Sequence, residues 1–268
     1  DHQDLHSFPT RRSSDLCGWT RSGKRPEFKV VTGISTGAII APLAFLGGAC
    51  DGLLEEFYTE YSTRDLMRVR YSPIEILFRS SFASVRPLEV LIERFFDAQF
   101  MRRVAAEHAK GRRLYLGTTN LDAQRLVVWD MGRIAAVGDE RALKLFRKII
   151  VASVSIPVAF PPVYMKATAN GKRYDEMHVD GGITRQVFFL YDVLQGLFEA
   201  VKERGLDPSA VRYEIYVIRN GYLDPIFKEV PESLSAIAAR TIETMINSQN
   251  IGDLYQLYFF TRDRGGAF

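Results

Sequence analysis

Between Lys29 and Asp51 the chain runs for 21 residues without a charge, VVTGISTGAIIAPLAFLGGAC, and any fold open to this sequence has to bury that run. A bilayer is one place to bury it. Four glycines and Pro42 interrupt the run, however, and its helical part is only about 12 residues, or about 18 Å at 1.5 Å per residue, too short to span a membrane. A buried strand at Phe28–Thr32, a tight turn, and a buried helix from Thr36 account for it better.

The turn reads Gly33, Ile34, Ser35, Thr36, Gly37, a Gly-x-Ser-x-Gly. A chain of this composition yields about 0.1 such matches by chance, so the motif draws its weight from its setting between an apolar strand and an apolar helix. There the glycines relieve the crowding of a sharp turn, the Ser35 hydroxyl projects from the end of the sheet, and the N-terminus of the helix offers N–H donors to an oxyanion. A Ser N-cap in a Gly-rich turn is the plainer reading.

The remaining chain alternates helices with short apolar strands. Helical patterns cover Asp51–Tyr61, Arg86–Phe96, Met101–Lys110, Glu140–Val151, Val187–Arg204 and a tail from Glu232. Strand patterns cover Arg113–Leu121 with Arg125–Trp129, Tyr164–Ala167 with Tyr174–Val179, and Tyr213–Ile218. This is the pattern of an α/β layered sheet, and no internal repeat is visible. The first 16 residues are polar and aperiodic, with no apolar run of the signal-peptide kind, and HSFPTRRSSDL resembles a translated sequencing adapter. Residues 1–16 are therefore expected to be non-native and outside the fold, which would span 17–268. Targeting is then unreadable.

A serine nucleophile needs a base. The histidines are His2, His6, His108 and His178, and none falls in the last 90 residues, so the chain order Ser, acid, His of α/β-hydrolases is not available. Asp180, followed by Gly181 and Gly182 at the end of a strand, is the best carboxylate candidate, although Asp-Gly-Gly is also simply a good turn. His178 lies two residues away on the same strand face and is the alternative base.

Taken together, the Gly-x-Ser-x-Gly and the Asp-Gly-Gly 180 − 35 = 145 residues later resemble the patatin-like phospholipase family. Ala152–Pro157 is similar to that family's Ala-Ser-x-x-x-Pro block, and Gly117–Val127 to its Thr-x-Leu-Asp hairpin. The resemblance implies a three-layer α/β/α fold with a mostly parallel sheet. It implies lipid acyl hydrolysis by a Ser-Asp dyad, with Ser35 as nucleophile and Asp180 as proton acceptor, without a cofactor or metal. It also implies a Gly-rich oxyanion loop about 10 residues ahead of Cys17, where the adapter-like segment stands, so this chain is expected to be impaired, with the Thr36 backbone left as a donor. A non-catalytic lipid-surface or partner-binding domain is the reading from another class.

An apolar acyl site could draw on Phe45, Leu46, Phe160, Val187, Phe188 and Phe189, residues that could equally be core. Arg21, Lys24, Arg25, Arg68, Arg70 and Arg79 could meet lipid phosphate or form a solvated face. A lipid or phospholipid is thus the expected partner, at a membrane surface or after secretion from a bacterium. The formal charge of +3 argues against a nucleic-acid partner. Gly23-Lys24 lacks the rest of a P-loop, which argues against a nucleotide. Cys17 and Cys50 have no metal-site spacing.

Overall fold

The uncharged run folds as strand, turn and helix, with β1 at Val30–Gly33 and α2 at Thr36–Leu46. In this computed structural model the described residues are 8–61, 68–69, 83–188, 199, 201–205, 207, 214–219, 224 and 226–263. Every residue of α2 from Ala38 to Phe45 is buried. A 3-10 turn at Gly47–Cys50 ends it, and α3 follows at Asp51–Thr59. By length and composition alone Thr36–Thr59 could cross a membrane. Within the fold its apolar side chains instead join one core with Leu88, Ile92, Phe96, Leu114, Phe146 and Ile149.

Ahead of β1 lies α1, Phe8–Arg21. The expectation that residues 1–16 carry no structure is thus corrected from Phe8 onward: Leu16 and Cys17 are buried in the core, and α1 packs on α3. A two-residue ladder pairs β2 (Arg68–Val69) with β3 (Ala83–Ser84). Then come α4 (Arg86–Phe95) and α5 (Ala98–Ala109), whose N-cap Asp97 accepts from the Phe100 N–H. The central hairpin is β4 (Arg113–Asn120) and β5 (Arg125–Asp130). Behind it follow α6 (Met131–Val137), which the sequence patterns did not signal, and α7 (Glu140–Ser153), capped by Asp130 and Asp139. A second hairpin pairs β6 (Val163–Ala169) with β7 (Lys172–Asp180), and a long helix, α8 (Leu234–Asp263), closes the described chain.

The sheet corrects a second expectation, since among the described strands it is mixed rather than mostly parallel. Only β1 and β4 pair in parallel, and β4–β5, β4–β7 and β6–β7 are antiparallel. For β4–β5 and β6–β7 the cause is connection length, because the short links at Leu121–Gln124 and Asn170–Gly171 can join only antiparallel neighbours. Asn170 and Gly171 both take positive φ, as a tight hairpin turn requires. The strand expected at Tyr213–Ile218 is absent over its described part. Residues 214–219 have no ladder, and Tyr216 instead sets its ring against Trp19 and Phe28, with centroids 4.9 and 6.0 Å away. The helix expected over Val187–Arg204 lies largely outside the described residues.

One feature of the register positions everything functional. Along β4, β5 occupies one edge from Tyr115 to Asn120. The other edge is shared: β1 pairs with Arg113–Leu116 and β7 pairs with Thr118–Asn120. Running in opposite directions, β1 and β7 end against each other across Gly117, so the residues just past each strand end converge.

Candidate active site

Ser35 sits at that convergence with φ 55° and ψ −130°, a backbone conformation a non-glycine residue holds only under constraint. Three hydrogen bonds impose it: the Ser35 N–H donates to Ser153 Oγ at 3.1 Å, the Gly37 N–H to the Ile34 carbonyl at 2.8 Å, and the Ala38 N–H to the Ser35 carbonyl at 2.8 Å. Ser153 Oγ in turn donates to the Gly117 carbonyl at 2.7 Å, tying the elbow to β4. Gly33 is required sterically, because a Cβ there would lie 2.3 Å from the Gly37 carbonyl oxygen. Gly37 corrects the reading that both motif glycines relieve crowding, since a Cβ there would meet nothing within 4 Å. Ser35 and Thr36 are both half-buried.

Asp180, the last residue of β7, is 1% exposed. Its N–H donates to the Ser155 carbonyl at 2.9 Å, and its Oδ1 accepts the Gly182 N–H at 2.7 Å. Burial pushes the carboxyl up from its usual value to about 7, against smaller opposing effects of the Ser35 hydroxyl and the Gly182 N–H. The Ser35 contact falls short of regular hydrogen-bond geometry, and Oδ2 is buried without a partner. Gly181 allows the approach: a Cβ there would stand 2.5 Å from the Gly117 carbonyl oxygen. Gly182 has the Gln186 amide 2.3 Å from its own Cβ position. Gly181 is therefore fixed by backbone packing, whereas a Cβ at Gly182 would press on the flexible end of the Gln186 side chain.

His178 is fully buried and lies on the same face of β7, but its ring is engaged elsewhere. Nδ1 meets Thr118 Oγ1 at 2.8 Å and Nε2 meets Glu176 Oε2 at 3.5 Å, while the Trp129 indole N–H donates to the same Thr118 oxygen at 2.8 Å. Burial lowers its pKa, which favours the neutral ring.

The other candidates separate by burial. Phe45 is core, its ring beneath Arg112 at 4.4 Å, and Leu46 packs against the same core. Phe160 and Val187 are half-buried, Phe188 is buried, and Phe189 lies outside the described residues. Arg25 is no phosphate ligand, because its side chain is only 5% exposed and is paired with Asp51 at 2.8 Å. Arg21 pairs with Glu55, and Lys24 is exposed. Arg70 and Arg79 lie outside the described residues, and Arg68 is placed only as part of β2. Ser153 and Ser155 are the site residues that motif reasoning left without a role, although the Ala152–Pro157 block had marked them.

An elbow serine and a buried carboxylate meeting at strand ends of a mixed sheet between helices place the molecule among α/β proteins whose site lies at the ends of their strands. Residues 13–192 match the family model of the patatin-like phospholipases, and the chain belongs to that family, whose members are lipid acyl hydrolases in general. The match begins four residues ahead of the boundary expected at residue 17. Among curated proteins none matches the chain.

Proposed function

We propose that the chain hydrolyses acyl esters of lipids with Ser35 as nucleophile and Asp180 as its base. One observation carries the reading: β1 and β7 end head to head across Gly117, which sets the Ser35 elbow beside the buried Asp180, whose carboxyl burial pushes up to about 7. At its ordinary value near 3.9 an aspartate is a feeble base toward a hydroxyl, and near 7 it is matched to proton transfer at neutral pH. Asp180 takes the Ser35 proton as Oγ bonds to the acyl carbon. The proton then passes to the leaving alcohol oxygen as the ester C–O bond breaks, and a water activated by Asp180 releases the acid and regenerates Ser35. The Thr36 N–H, at the first position of α2, has no acceptor within its own helix and is suited to the developing oxyanion. Half-buried Phe160 and Val187 are candidates for the acyl wall. Exposed Phe227, Leu234 and Ile237 support contact with a lipid surface.

A fluorophosphonate probe with a short-chain ester assay tests this. Labelling and weak hydrolysis, in keeping with the impairment expected of this chain, are expected in the parent chain and in His178→Ala, labelling with still less turnover in Asp180→Asn, and neither in Ser35→Ala. An unlabelled but folded parent chain would favour a binding domain. A dead His178→Ala beside an active Asp180→Asn would move the base to His178.

A further inference from the structure

We propose that Asp253, on the C-terminal helix α8 and outside the residues matched by the family, is a positioning residue that holds the Asp180-Gly-Gly loop in its working conformation. This deepens the dyad reading and rests on it for its functional consequence. The geometry is that of a buried carboxylate saturated with donors. Asp253 is 2% exposed. Its Oδ2 accepts the backbone N–H groups of Gln186 and Val187 at 2.6 and 3.0 Å, and its Oδ1 accepts Arg185 Nη1 at 3.2 Å and Gln249 Nε2 at 3.1 Å. A carboxylate removed from water at such cost persists only where donors replace its hydration. Here three of the four donors come from one short segment, Arg185–Val187.

That segment leads directly to the dyad. The Thr184 and Arg185 N–H groups donate to the Gly181 carbonyl at 3.1 and 3.0 Å, and Thr184 Oγ1 donates to it as well at 3.1 Å. The Gln186 side chain stacks against Gly182, its amide donating to the Gly182 carbonyl at 3.4 Å. Gly182 then supplies the N–H that binds Asp180 Oδ1. Helix α8 thus reaches the proton acceptor through one loop and one backbone amide. No charged side chain among the described residues acts on the Asp180 carboxylate, whose influences are burial, Ser35 and Gly182. The nearest titratable group on β7, His178, is held by Thr118 and Glu176.

The consequence is a specific shift. Loosening the loop weakens the Gly182 N–H bond, which favours the ionised form, so the Asp180 midpoint should rise. Titration of carboxyl 13C shifts in the full chain is expected to place Asp180 in Asp253→Asn about half a unit or more above the parent. Turnover of a soluble ester should fall about tenfold with KM unchanged, and its acid limb should move the same way. Leu257→Ala, which trims a buried α8 contact without touching these hydrogen bonds, should lower the melting temperature and leave the midpoint in place. If Asp253→Asn fails to fold, Gln186→Ala is read instead, with a smaller rise expected. An unmoved midpoint in a folded Asp253→Asn, or in Gln186→Ala, would overturn the proposal. A parent chain that neither takes the probe nor turns over ester would instead overturn the dyad, because the 13C titration needs no activity.

Discussion

Ser153 holds Ser35 by its backbone: across 118 residues of sequence, its Oγ accepts the Ser35 N–H at 3.1 Å. The same oxygen donates to Gly117, so one hydroxyl clamps the strained elbow to the strand edge where β1 and β7 meet. Ser153→Ala leaves a buried carbonyl and an elbow N–H unsatisfied. Urea unfolding should show a loss of about 1–3 kcal/mol, and ester turnover should fall at least tenfold because Oγ is no longer aimed.

The Ser35 conformation is one glycine tolerates without strain, so Ser35→Gly is expected to raise stability by about 1 kcal/mol while abolishing turnover. A melting temperature above the parent's in a hydrolytically dead variant is the signature. A fall of the same size would mean that Ser35 is not strained.

Asp180 makes activity and stability depend on pH in opposite senses. In the role proposed for it, as base, it must be ionised, so turnover should decline as pH falls through about 7. For stability, its folded pKa lies above the unfolded value near 3.9, so the folded protein binds the extra proton between about pH 4 and 7, and stability is lost as pH rises across that window. Asp180→Asn removes this penalty. It should match the parent near pH 4 and exceed it by up to about 4 kcal/mol at pH 8, read from paired denaturation curves.

The glycines divide by what a methyl group would strike. Gly33→Ala and Gly181→Ala drive a Cβ to 2.3 and 2.5 Å of a carbonyl oxygen and should each cost about 3 kcal/mol or more. Gly37→Ala meets open space and should change stability by less than about 1 kcal/mol. Melting temperatures of the three variants rank them directly, and a Gly37→Ala as damaging as Gly33→Ala would contradict the packing described.

Local chemistry made much of this molecule legible from the chain alone. An uncharged run broken by four glycines and Pro42 reads better as a buried strand, turn and helix than as a membrane span, and the elbow at Ser35 follows from steric rules acting over five residues. Periodicity likewise found the hairpins β4–β5 and β6–β7 and helices α3, α4, α5, α7 and α8, because each buries one face at a fixed spacing. Long-range contact decided the rest. The aperiodic segment before Leu16 carries no local signal, yet α1 runs through it and buries Leu16 and Cys17. Residues 214–219 alternate like a strand but find no ladder, their Tyr216 taken by Trp19 and Phe28. That Ser35 faces Asp180 comes from two strands ending head to head along one edge of β4, and that Asp180 titrates near neutrality comes from water being excluded there. Neither the edge a strand occupies nor the solvent a carboxylate loses is a property of neighbouring residues, so only the tertiary structure could supply them.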